Sequence, residues 1–106
     1  MSDTFYLKRG DTSPSLRYAL EPDTVDLAGA LVQFQMRPRG GETLIDAPAT
    51  VVTTASSPTV EYGWTATDTA EAGVFDAEFR VTFADGAVET FPNFGFLTVR
   101  ISDDIT

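Results

Sequence analysis

The stretch Val74-Phe75-Asp76-Ala77-Glu78-Phe79-Arg80-Val81-Thr82-Phe83 decides the fold class. Phe75, Ala77, Phe79, Val81 and Phe83 fall on one side of an extended chain; Asp76, Glu78, Arg80 and Thr82 fall on the other. A period of two held over that length describes a strand with one dry and one wet face, not a helix with its period of about 3.6.

The same alternation recurs on both sides of it. Val32, Phe34 and Met36 alternate with Gln33, Gln35 and Arg37; Val60, Tyr62 and Trp64 with Glu61 and Gly63; Leu97, Val99 and Ile101 with Thr98 and Arg100. Shorter runs at residues 5–8, 16–21, 43–47 and 50–54 bring the count to seven or eight strands. Turn chemistry separates them: Arg9-Gly10-Asp11-Thr12, Pro38-Arg39-Gly40-Gly41, Ser56-Ser57-Pro58 and Asp85-Gly86. Asp85-Gly86 reads as a tight hairpin joining the two longest strands. No segment keeps a helical period, and no linker or internal repeat stands out. Strands at intervals of about ten residues predict an all-β chain, a single antiparallel sandwich domain over residues 1–106. Its expected core includes Val32, Phe34, Met36, Trp64, Phe75, Phe79, Phe83 and Val99.

Composition narrows the chemistry. The 106 residues include no Cys and no His, which removes disulfides, thiol nucleophiles and the commonest metal ligand. The formal charge of -9 would repel phosphates, so nucleic acid is not an expected partner. It is unevenly spread: residues 1–41 hold five basic and five acidic side chains, residues 42–106 only Arg80 and Arg100 against eleven acids. No apolar run approaches the ~20 residues that span a bilayer, so no membrane association is expected. The polar start Met1-Ser2-Asp3-Thr4 lacks the basic and apolar regions of a signal peptide, so synthesis and initial residence in a cytoplasm are expected.

Catalysis has little to draw on. Asp76 and Glu78 share a strand face as a glycosidase pair would, but Arg37, Arg80 and Arg100 share it too. A cross-strand ion-pair surface linking Arg37, Glu78 and Arg100 is the better reading, and no enzyme activity or cofactor is expected. Asp103-Asp104, and Asp23 with Asp26, offer oxygens to Ca²⁺ but lack the spacing of a calcium loop. Arg9-Gly10-Asp11 spells an adhesive tripeptide, in a place where Gly-Asp already has a turn to make.

Phe91-Pro92-Asn93-Phe94-Gly95-Phe96 is more informative. Pro92 cannot donate to a ladder and marks an edge, a bulge or a break. Counting back from Leu97 and Val99 in twos aims Phe94 and Phe96 outward; a bulge at residues 93–95 would instead turn one of them into the core. Pro92, Asn93, Phe94 and Phe96 are the expected partner-binding residues, Phe94 foremost.

Asp68-Thr69-Ala70-Glu71-Ala72-Gly73-Val74-Phe75-Asp76-Ala77 has the cadence of an immunoglobulin E–F corner, with Phe75 and Ala77 where Tyr and Cys are usual. That makes the expected sandwich immunoglobulin-like, held by core packing alone. Taken in order, Leu7-Lys8-Arg9-Gly10-Asp11-Thr12, Asp26-Leu27-Ala28-Gly29-Ala30, Val32-Gln33-Phe34-Gln35-Met36-Arg37, Trp64 with Asp68-Thr69, Phe83-x-Asp85-Gly86, Glu89-Thr90-Phe91-Pro92-Asn93 and Leu97-Thr98-Val99 extend the likeness. Together with that corner they resemble the immunoglobulin-like N-terminal domain of phage baseplate upper proteins and related small virion proteins of tailed phages. The resemblance implies a non-catalytic structural protein of a virion, assembled in the host cytoplasm. It would be present in many copies or as a homo-oligomer, and would attach a tail, baseplate or fibre to other virion proteins. Capsid decoration on the head is one alternative. A carbohydrate-binding module is another, with Trp64, Tyr6, Tyr18 and Tyr62 as its only possible stacking platform.

Overall fold

The ten-residue alternation is realised as the longest strand of a computed structural model that describes residues 4–22 and 24–105. Eight strands run through it: β1 (Thr4–Lys8), β2 (Leu16–Ala19), β3 (Leu31–Pro38), β4 (Ile45–Val51), β5 (Thr59–Tyr62), β6 (Gly73–Thr82), β7 (Val88–Phe91) and β8 (Leu97–Ser102). One sheet has the order β1-β8-β6-β3-β4, with β7 also on β6, and the other has β4-β5-β2. β4 belongs to both: residues 45–49 pair with β3, while Thr50 and Val51 pair with β5. The two layers are thereby joined through one strand, which gives the immunoglobulin-like sandwich a nearly closed, barrel-like outline.

Several expectations are corrected in detail. The runs at residues 43–47 and 50–54 form one strand, because Pro48 lies where β4 is the edge of the first sheet and a residue without an N–H is tolerated. β1 runs parallel to β8, with Thr4 opposite Thr98 and Lys8 opposite Ser102. The two are joined by the rest of the chain rather than by a hairpin, so nothing forces them antiparallel. Phe83 is only half-buried, one residue past the end of β6. The other named core residues are all buried.

Aromatic contact across the layers stands in for the missing disulfide. Phe34 on β3 lies 4.3 Å from the Tyr62 ring, 5.1 Å from Phe79 and edge-on to Trp64 at 5.6 Å. Tyr18 stacks on Phe79 at 6.2 Å, so four strands or strand ends meet through one ring cluster. The corner finds a phenol after all, from β5. Tyr62 Oη donates to Asp68 Oδ2 at 2.6 Å, and the same oxygen accepts from the Thr65 N–H at 2.9 Å. Burial first, then the hydrogen bond and the negative charge of Asp68, push the Tyr62 phenol far above its ordinary range.

Candidate functional site

Phe79 on β6 lies opposite Phe91, whereas Ala77, two residues earlier, lies opposite Leu97. Glu78 alone therefore faces five residues, 92–96, which leave the ladder between β7 and β8. β3 occupies the other edge of β6, so β7 and β8 are two halves of one edge interrupted by this excursion. The Asp85-Gly86 hairpin accordingly joins β6 to a short β7, not to the second-longest strand, which is β3. Its turn is otherwise as read: Gly86 has φ +90° and its N–H reaches the Phe83 carbonyl.

The excursion is tied down. Phe91, 1% exposed, anchors one end in the core, and Leu97 anchors the other. The Asn93 side-chain amide donates to the Thr90 carbonyl at 2.9 Å and to Glu89 Oε2 at 3.0 Å. Gly95 takes φ +70°, a conformation costly for a residue with a Cβ, as the chain turns back into β8. At its crest Phe94 is 94% exposed. The outward direction was anticipated, but strict alternation is not its cause. The bulge resets the count, and it turns neither Phe94 nor Phe96 into the core.

Phe96 lies back against the outer face of the first sheet. The Arg37 guanidinium sits 5.0 Å from its ring centroid, within cation–π range. Beside it Asp76, whose side chain is 8% exposed, is held between two arginines. Arg39 Nε donates to its Oδ1 at 3.0 Å, and Arg37 Nε stands 3.5 Å from its Oδ2. Arg39 Nη2 also donates to Thr98 Oγ1 at 3.0 Å. Gln35, Arg37, Thr43, Asp76, Glu78 and Phe96 border a cleft of about 120 Å³ here.

The expected ladder of Arg37, Glu78 and Arg100 is not formed. Register places Asp76 opposite Arg37, Gln35 opposite Glu78, and Val74 opposite Arg100. Arg39 was missed because a turn residue carries no face assignment; its side chain bends back over β6. The other candidates disperse. Asp103 and Asp104 face Arg9 at 3.7 and 3.9 Å, Asp26 Oδ1 accepts from the Ala28 N–H, and Asp23 lies outside the described residues. Among the described residues no three His, Cys, Asp or Glu side chains converge as a metal site. The Arg9-Gly10-Asp11 turn is tied to the corner, with Gly10 N–H on the Thr69 carbonyl and Thr69 Oγ1 on the Asp11 carbonyl. Trp64 and Tyr62 are buried in the core and Tyr18 is half-buried against Phe79, which leaves Tyr6 as the one exposed member of the suggested sugar platform.

No family model matches the chain, and no curated protein matches it. A solved structure, CopC from Methylosinus trichosporium OB3b, superposes with a TM-score of 0.57 at 12% identity, over 99% of this chain and 89% of that one. The likeness carries the all-β sandwich fold. It also corrects the functional expectation: the fold is matched end to end by a CopC rather than by a phage virion protein. The virion role, and with it the capsid-decoration and glycan-binding alternatives, is not retained.

Proposed function

We propose that the domain is a non-catalytic recognition module that holds a protein partner against the outer face of the β1-β8-β6-β3-β4 sheet, with Phe94 as the anchor. The observation that carries this reading is Phe94 itself, 94% exposed on an excursion pinned at both ends. A large aromatic held in water is poorly placed for stability and well placed for an interface, where a few aromatics and arginines supply most of the energy. Phe96 under Arg37, and Asp76 between Arg37 and Arg39, give that anchor a fixed polar surround. The roles divide accordingly: Phe94 and Phe96 make contact, while Pro92 and Asn93 hold the crest in position. Donor chemistry for an alternative metal role is thin, since Met36 is buried in the core and the chain lacks His and Cys.

The test is a photo-crosslinking amino acid at position 94, with a second at position 61 on the other sheet, both in cells that make the protein. Adducts are expected from position 94 and not from 61. Equal yields from the two positions, or none from either, would remove the assignment of this face.

A further inference from the structure

The cations of this acidic chain gather on one surface. Lys8, Arg37, Arg39, Arg80 and Arg100 stand on the outer face of the first sheet against Asp46, Asp76 and Glu78, five against three. The remaining described charges are Arg9 and Arg17 against eleven carboxylates: Asp11, Glu21, Asp26, Glu42, Glu61, Asp68, Glu71, Asp85, Glu89, Asp103 and Asp104. The same face collects the exposed apolar side chains. Tyr6, Leu31, Val88 and Phe96 lie on it and Phe94 rises beside it, while Leu44 and Ile105 lie outside its strands.

We infer that this face docks a second copy of the chain, front to front about a two-fold axis. The inference rests on the recognition reading above and names its partner. Two molecules of net charge -9 repel through most of their surfaces, where carboxylate would meet carboxylate. The outer face of the first sheet, five cations against three carboxylates, is where they approach with the least of that penalty. It is also self-complementary: Lys8, Arg80 and Arg100 on one side, and Asp46 and Glu78 on the other, have no ion-pair partner among the described residues. A contact of a patch with itself sets these groups against each other and brings apolar onto apolar, whereas β5 and β2 carry no exposed large apolar side chain to offer. Five strands ~4.8 Å apart and about six residues long span roughly 24 by 20 Å. That footprint, about 480 Å² per partner before side-chain relief, falls at the small end of specific interfaces and fits a weak dimer.

Sedimentation velocity on the purified chain, from micromolar to near-millimolar concentration at physiological ionic strength, tests this. The mass is expected to rise from 11.4 kDa to twice that value and stop there, since a two-fold contact closes on itself. Leu31→Asp and, separately, Arg80→Glu should each raise the dissociation constant at least ~10-fold with the melting temperature of the monomer unchanged, and Glu61→Gln should leave the dimer intact. A constant 11.4 kDa, growth beyond two copies, or a dimer indifferent to both variants would overturn the proposal. If the purified chain stays monomeric while a crosslinker at position 94 still captures another protein, self-docking fails and the recognition reading stands. If neither is seen, both fail.

Discussion

Phe91 and Phe94, three residues apart in one hexapeptide, should respond oppositely to truncation. A phenylalanine side chain exposes roughly 200 Å² when fully free. Phe94 is 94% exposed, so folding hides about 12 Å² of it, which at ~25 cal/mol per Å² contributes about 0.3 kcal/mol. Phe94→Ser should therefore shift the melting temperature by about 2 °C or less, given ~4–8 °C per kcal/mol for a domain near this size. Phe91 is 1% exposed and lies opposite Phe79, so Phe91→Ala combines lost transfer energy with a cavity, about 3–5 kcal/mol. That is a large part of the ~5–15 kcal/mol that stabilises a domain. Melts by calorimetry at low micromolar concentration separate the two effects and keep any dimer from adding its own stabilisation. A drop of 10 °C or more for Phe94→Ser would place that ring in the core and remove the anchor from the proposed interface.

Two further outcomes follow from buried polar groups. Tyr62 holds its proton more tightly folded than unfolded, so its contribution is complete below the unfolded value near pH 10 and falls as pH rises beyond it. Urea midpoints should accordingly decline above about pH 10, and Tyr62→Phe should be less stable at neutral pH yet lose less on alkalinisation; parallel pH profiles would contradict this. Asp76→Ala leaves Arg37 and Arg39 facing one another with Thr98 as the remaining acceptor, and should cost about 1–3 kcal/mol by urea titration. Asp76→Asn, which keeps an acceptor for Arg39 Nε, should cost less; equal losses would deny the charge any part.

Much of the sandwich was legible because β3 buries alternate residues and β6 does so apart from Asp76, and a period of two read from Val32 to Met36 or from Phe75 to Val81 needs no tertiary knowledge. What was not legible lies where register or turn geometry intervenes. Whether Arg37 meets Asp76 or Glu78 depends on a two-residue offset between strands that are about forty positions apart in sequence, and alternation is blind to such an offset. Arg39 escaped for a related reason: a turn residue has no face until the turn is built. The corner tyrosine was sought at Phe75, within β6, whereas the phenol that reaches Asp68 comes from the end of β5. At Phe94 the expected direction was right and its reason incomplete. Prolonging the β8 alternation through Gly95 ignores five residues that leave the ladder, and exposure follows from that excursion rather than from parity.

The functional expectation failed through the kind of residue that carried it. Asp85-Gly86, the Gly73-x-Phe75-x-Ala77 entry into β6 and the Val32-to-Arg37 alternation are what a sandwich needs to turn a hairpin, pass a corner and fill a core. A chain 12% identical to CopC from Methylosinus trichosporium OB3b shares its fold over 99% of its length, so such features are set by architecture and are silent about partners. Evidence about use has to come from what the architecture does not require. A strand pair does not need five residues expelled from its ladder, nor Phe94 at their crest. An acidic chain does not need five of its seven cations on one sheet face. Those features share one surface, and on it Asp76 is engaged by Arg37 and Arg39 rather than left as an active-site carboxylate. Recognition is proposed at the outer face of the first sheet because those features coincide there.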